Sequence, residues 1–440
     1  MAPDDVMPTL KRRIQVDGFD IVLDLERSHG CWICDARGGR EYLDCFTFFG
    51  SNPLGMNHPA LTEASFLERL GRVAVNKPSN SDIYTNVYAE FVRTVDRVAR
   101  PAGMRWFFFV EGGALAVENA LKVAFDWKVR RNARRGAGER GGQVLHLERA
   151  FHGRSGYALS LTNTDPRKTM YYPKFDWPRI PSPAIRFPLD EAEARRLDEA
   201  EGEALARARR FFEQRGGEIA AVIFEPIQAE GGDRHFRPGF LQALSRLAHE
   251  HDALVVADEV QTGVGLTGRF WAHEHFGFEP DVLAFAKKMQ VGGLMAGGRV
   301  EEEPENVFRV SSRINSTWGG HIVDMLRATR ILEVIEGERL VDNAARRGDQ
   351  LLSGLERIAA GSEGTVSNAR GRGLMCAVSF PRAEVRDRAV RACFERGLMV
   401  LACGTRSLRF RPALTISAAE IDAALDRLED AVRELARSAA

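Results

Sequence analysis

The chain is short of cysteine. Six occur in 440 residues, at Cys31, Cys34, Cys45, Cys376, Cys393 and Cys403. That sparse use excludes a disulfide-framed fold. Net charge is absent as well: 61 basic residues offset 61 acidic ones, so no overall field favours nucleic acid or an anionic membrane. No apolar run approaches the roughly 18 residues of a membrane span, and MAPDDVMPTLKRRIQVDG lacks the apolar centre of a signal peptide. A cytoplasmic protein is expected, without nucleic-acid or membrane partners. There is no internal repeat and no low-complexity tail. Cys31-Trp32-Ile33-Cys34 has no second pair at zinc spacing and sits in an alternating segment, so the two thiols read as buried strand residues and no metal is expected.

What is present is ordinary globular composition, 44% hydrophobic and 28% charged, in a length that suits two to three domains. Residues 14–46 alternate apolar and polar between glycine turns, which predicts a small antiparallel meander. TFFGSNPLGMNHPA reads as a loop, a helix is expected from Pro59, and 73–84 reads as a loop again. Beyond Tyr88, short apolar runs at 106–110, 144–147, 220–224, 254–257 and 282–285 alternate with helical stretches such as 114–131 and 191–214. That rhythm predicts an α/β fold around a mostly parallel sheet. Residues 162–189 are proline-rich and irregular, and ordered stretches of that length are often functional. The chain from 323 onward reads as helices, strands at 374–379 and 407–410, and a last helix from Ala418 capped by Ser417.

The chemistry concentrates in ALVVADEVQTGVGLTGRFWAHEHFGFEPDVLAFAKKMQVGG, residues 253–293. One apolar strand ends in Asp258-Glu259 and the next in Lys287-Lys288. Strand ends form the ligand crevice of open α/β sheets. An amine there can hold an aldehyde cofactor as a Schiff base while an acid pairs with its ring nitrogen. Glu111-Gly112-Gly113-Ala114 lies between an aromatic strand and a helix, where free N–H groups suit a phosphate. Phe151-His152-Gly153-Arg154 offers a ring to stack and a guanidinium for a carboxylate. Glu230 in FEPIQAEGG and Arg409 in SLRFRP add an acid and a second arginine. Taken singly, each of these has a plainer reading as a turn or a surface charge.

Taken in order, EGGALAVENALK, AFHGRSGY, FEPIQAEGGDRHF, VVADEVQTGVGLTGRFWAHEHFG, PDVLAFAKKMQVGG, NSTWGGH, RGLM and LRFRP resemble the class III aminotransferases, which use pyridoxal 5′-phosphate. The resemblance spans nearly the whole chain. FTFFGSNPLGMNHPAL, NKPSNSD and SRINSTWGGH bring it nearest to members that act on the ε-amine of L-lysine with 2-oxoglutarate as acceptor. It implies fold type I: a large cofactor domain over residues 76–325 and a small α+β domain built from 1–75 and 326–440. It also implies a homodimer with active sites at the interface. Carried over residue by residue, Lys287 is the Schiff-base lysine, chosen over Lys288 because small Ala286 precedes it. Asp258 faces the ring nitrogen, Gln261 the phenolic oxygen, and Phe151 covers the ring. Gly113 and Ala114 hold the phosphate, with Thr317 from the partner subunit. Many members have hydroxyl residues where this chain has Gly112 and Ala114, which leaves more of the phosphate to backbone N–H groups. Arg154 is implied for the remote carboxylate, Arg409 for the one beside the keto group, and Glu230 as the acid that covers Arg409 when lysine reacts. Two alternatives stand: another ω-aminotransferase acting on ornithine, 4-aminobutyrate or a diamine, and a non-catalytic protein on the same fold.

Overall fold

The computed structural model describes residues 1–437. Its centre is a seven-stranded sheet ordered Met104–Val110, Gly292–Gly297, Val282–Phe285, Leu254–Asp258, Ile219–Phe224, Gln143–Leu147, Arg179–Ile180. Six strands run parallel, and only Gly292–Gly297 runs against its neighbours. The central strands are buried along their whole length, as their continuous Val, Ile, Leu, Ala and Phe content requires of a sheet covered on both faces. Helix Gly113–Arg134 packs on this sheet with Ala116, Val117, Ala120, Leu121 and Ala124 buried; Glu191–Arg215 and Pro238–Glu250 are the crossovers between strands.

The reversed strand was not legible in the sequence, because GGLMAG has poor strand propensity. Its glycines answer to space. A Cβ on Gly297 would stand 2.0 Å from Gly103 O, and one on Gly292 2.6 Å from Gly112 O.

Two smaller sheets use both chain ends. Trp32–Cys34 pairs antiparallel with Glu41–Asp44, which pairs in parallel with Leu398–Met399. The expected N-terminal meander is therefore shorter than predicted, and its third strand comes from the far end of the chain. Before Trp32 the alternation makes only isolated bridges, because the Asp24 and Asp35 carboxylates capture the N–H groups of Val22, Glu26, Arg27 and Arg37. The second small sheet orders Ser367–Arg372, Met375–Ser379, Ser407–Phe410 and Leu401–Cys403. Helix Ala418–Arg437 starts as expected, with Ser417 and Glu420 bonded reciprocally. An exposed helix, Pro3–Lys11, was not anticipated, although Pro3, Asp4, Asp5 and Lys11 are placed as helix ends favour.

The helix expected from Pro59 is split at Glu63 into Pro59–Thr62 and Ala64–Ala74. The loop before it contains a left-handed turn: Thr47, Phe48, Phe49 and Gly50 all have positive φ, from 42 to 75°. Each non-glycine residue there costs about 1–2 kcal/mol. Asp44 holds the entry, accepting from Phe46 N at 2.8 Å and Thr47 N at 2.7 Å, and Thr47 Oγ1 donates to Arg411 O at 2.5 Å. The turn delivers Gly50 O and Ser51 O to the segment after Lys287. All six cysteines are free and buried. Among the described residues no helix is long and apolar enough to cross a membrane, and no cluster of metal-ligating side chains occurs.

Candidate active site

Four adjacent parallel strands bring their carboxyl ends to one cavity of about 490 Å³. Each end is followed by a chemically distinct group: His152 a few residues past Leu147, Glu225 after Phe224, Asp258 closing its strand, and Lys287 two residues past Phe285. The register sets Asp258 opposite Ala284, so acid and lysine rise from neighbouring strands into the same space.

The Asp258 carboxylate is held at both oxygens. Oδ2 lies 2.7 Å from His152 Nδ1, and Oδ1 accepts from Val260 N at 3.1 Å. His152 is sealed from solvent, and its other nitrogen, Nε2, has no partner among the described residues. A pair fixed in this way presents a carboxylate of defined orientation to the cavity. Lys287 lines the cavity with a left-handed backbone, φ 44°. Burial lowers its amine below the ordinary value; Asp258 opposes that shift and Arg409 adds to it. Lys288 is turned away, its Nζ donating to Gln261 O at 2.7 Å and Gly50 O at 3.2 Å. Of the two candidate lysines, only Lys287 faces the pocket.

Gly112, Gly113 and Ala114 line another side of the cavity, at the start of helix Gly113–Arg134. Gly112 has φ 92° and no side chain caps this end, so the first N–H groups of the helix are free for an anion. A Cβ on Gly113 would lie 2.7 Å from Val260 Cγ1, which explains a glycine where backbone must come close. Phe151 lines the cavity beside Arg154, which is exposed. Gln261 is held through its side-chain oxygen by Arg411 Nε at 3.1 Å. Arg411 in turn makes a sealed bidentate pair with Asp233, at 2.9 and 2.5 Å. Free helix N–H groups, an accessible amine, a fixed carboxylate and a flanking aromatic ring fit pyridoxal phosphate in charge and kind.

Glu230 and Arg409 meet, Oε2 to Nη2 at 3.0 Å. Arg409 is 2% exposed, and its Nε and Nη1 have no partner among the described residues. The Glu230 carboxyl titrates below its ordinary value: burial would raise it, but Arg409 and Lys168 outweigh that. Thr317 is not brought to this cavity. It is exposed, and its carbonyl accepts from Ser79 Oγ at 2.5 Å and Ser81 Oγ at 3.3 Å.

Five contributors escaped the sequence reading: His152, Glu225, Asp233, Arg411 and Lys168. Glu225 accepts from Phe151 N and Ala229 N, both at 3.0 Å, and so ties two of the loops at the cavity. Its position directly after an apolar strand was a usable signal. Arg411 follows Arg409 at the two-residue spacing that puts both on one side of an extended segment.

Residues 14–432 match the family model described as aminotransferase class-III. This chain belongs to the class III aminotransferases. Their cofactor is pyridoxal 5′-phosphate, and the fold is of type I. The chain is 54% identical to the L-lysine-epsilon aminotransferase of Amycolatopsis lactamdurans, over 96% of this chain and 94% of that one. It is 52% identical to the L-lysine-epsilon aminotransferase of Streptomyces clavuligerus, over 99% and 95%. A solved structure of the lysine aminotransferase from Mycobacterium tuberculosis superposes with a TM-score of 0.97 at 53% identity, covering 99% of this chain and 100% of that chain.

Burial pushes the Glu225 carboxyl up to about 7, with Asp258 adding to the rise and His152 opposing it. A carboxyl that holds its proton more tightly in the folded chain stabilises the fold below its unfolded value. That contribution is lost as pH rises through about 7. In cofactor-free protein, wild type should therefore lose about 2 kcal/mol relative to Glu225→Gln between pH 5 and pH 8, read from urea unfolding. Parallel pH profiles for the two would contradict the assignment.

Proposed function

We propose that this enzyme transfers the ε-amino group of L-lysine to 2-oxoglutarate, giving 2-aminoadipate 6-semialdehyde and L-glutamate. The observation that carries this is the Glu230–Arg409 pair at the edge of a cavity that also holds Arg154 and Lys287. One pocket must take a donor whose only carboxylate is remote from the reacting amine, and an acceptor with a carboxylate at each end. Arg154 suits the remote carboxylate of both. Arg409 suits the carboxylate beside the keto group, which lysine's reacting end lacks. With lysine bound, Glu230 keeps the sealed guanidinium paired; with the dicarboxylate bound, Glu230 gives way. The names of the relatives at 52–54% identity support the same donor.

Pyridoxal phosphate in this cavity would supply an aldehyde to bond the amine and a ring to take up the electrons of a broken C–H bond. Lys287 would hold that aldehyde covalently in the resting enzyme. Its lowered pKa suits it to carry the proton from the substrate's ε-carbon once displaced. Asp258, oriented by His152 and Val260 N, would keep a proton on the ring nitrogen. Gln261 would meet the phenolic oxygen and Phe151 would cover the ring. Gly113 and Ala114 would receive the phosphate through backbone N–H groups.

The phosphate site would be completed by Thr317 of a second copy in a homodimer. Supporting this, Thr317 is bonded to Ser79 and Ser81, and Val75, Ile83 and Tyr84 of that stretch, with Trp318 beside Thr317, are exposed apolar side chains suited to burial against another chain. Residues 76–325 would form the cofactor domain, with 1–75 and 326–440 forming the smaller one.

With 2-oxoglutarate as acceptor, L-lysine should outrank ornithine, 4-aminobutyrate and diamines, and mass analysis should find the cyclised semialdehyde. Another donor ahead of lysine would overturn the assignment. Lys287→Ala should lose cofactor attachment trapped by borohydride; retained attachment would move the role to Lys288. Glu230→Ala should slow the lysine half-reaction more than the 2-oxoglutarate half, seen as single-turnover absorbance changes. Equal losses would defeat the gate.

A further inference from the structure

The acid that covers Arg409 carries a second cation. Glu230 Oε2 meets Arg409 Nη2 at 3.0 Å, while Glu230 Oε1 accepts a short hydrogen bond from Lys168 Nζ. The same amine lies 5.3 Å from the centroid of the Phe151 ring. One carboxylate thus bridges two cations, an oxygen to each.

Lys168 is not a free-swinging surface charge. It closes a single helical turn, Pro166–Lys168, within the irregular stretch between 162 and 189. Asp165 caps that turn, its side chain accepting from Arg167 N at 3.0 Å, and Lys168 N donates to Asp165 O at 3.0 Å. Thr169 N and Met170 N both return to Pro166 O, at 3.0 and 2.8 Å. The backbone that presents the amine is bonded on both sides of it.

The two cations are differently placed. Arg409 is 2% exposed, whereas the Lys168 side chain is 21% exposed. A carboxylate released from Arg409 has to go somewhere when an acceptor arrives. Left free at the rim, it would repel the incoming carboxylate, and if Arg409 were its sole partner it would resist leaving. We propose that Lys168 is a positioning residue that retains Glu230 when it withdraws from Arg409, and so sets the enzyme's affinity for its dicarboxylate acceptor. This rests on the gate reading given above for Glu230. In the closed arrangement Arg409 alone would still satisfy Glu230; in the withdrawn one Lys168 is the cation already hydrogen-bonded to it. Loss of the lysine therefore penalises the withdrawn state more.

The test uses holoenzyme and measures the two half-reactions separately in wild type, Lys168→Ala, Lys168→Arg, Glu230→Ala and the Lys168→Ala/Glu230→Ala double variant. Lys168→Ala should raise the 2-oxoglutarate concentration at half-maximal rate about fivefold, the size of one partly exposed ion pair. The maximal rate should stay within about twofold, and half-saturation by L-lysine should not follow the acceptor's change. Lys168→Arg should restore most of the acceptor affinity, because the charge is kept. Lys168→Ala should add nothing once Glu230 is absent. A fivefold loss that persists without Glu230 would mean that Lys168 acts on substrate directly, and would overturn the proposal. No effect, or equal effects on both halves, would overturn it too. If Glu230→Ala alone fails to separate the halves, the gate falls and takes this proposal with it. If Glu230→Ala separates them and Lys168→Ala does not, only the role of Lys168 is lost.

Discussion

A guanidinium sealed from water needs partners for its charge, and this fold gives a carboxylate to each of two such cations two residues apart. Arg409 and Arg411 leave the same extended segment of the small sheet, and each reaches an acid on one turn of the large sheet's crossover: Glu230 for the first, Asp233 for the second. The Arg411–Asp233 pair is closed on both sides, at 1% and 0% exposure. Removing either partner there would strand a buried charge, at about 3–5 kcal/mol. Arg409 is as deeply buried, but its acid is 25% exposed. One pair is a fixed bolt between the two parts of the molecule. Its neighbour has the same chemistry with one partner open to solvent and shared with Lys168. The turn between Glu230 and Asp233 keeps the partly exposed acid in register with the buried one.

The rest of the cavity is arranged around single charges held by neutral or complementary groups. Asp258 is oriented by His152 and a backbone N–H. Glu225 bonds two backbone N–H groups and is pushed towards neutrality by burial. Lys287 is drawn towards its neutral form by the same burial. Burial thus draws an acid up and an amine down within one cavity. The left-handed turn at 47–50 belongs to this arrangement. It brings Gly50 O to Lys288 and Ser51 O to Gln290, and so fixes the segment that follows Lys287.

The sequence exposed what is local. Apolar runs at 254–257 and 282–285, each ending in a charge, announced both the parallel sheet and the acid and amine at its edge. Leu254–Asp258 and Val282–Phe285 are where those runs put them. It hid what depends on remote partners. Gly292–Gly297 has glycines where neighbouring backbone leaves no room for a Cβ, and no propensity scale registers that. The meaning of Arg411 comes from Asp233, 178 residues earlier in the chain. Lys168 lay in a stretch recognised only as long and irregular, because its meaning comes from Glu230, 62 residues later. The N-terminal alternation misled for a related reason: Asp24 and Asp35 satisfied the backbone locally, and the third strand came from Leu398–Met399.

If the duty of Glu230 in the donor half-reaction is to keep Arg409 paired, then deleting both should be better for lysine than deleting the acid alone. The decisive measurement is the single-turnover rate with L-lysine for Glu230→Ala beside Glu230→Ala/Arg409→Ala. The account predicts that the double variant recovers much of the lysine half-reaction while losing 2-oxoglutarate. A double variant no faster with lysine than Glu230→Ala would contradict it.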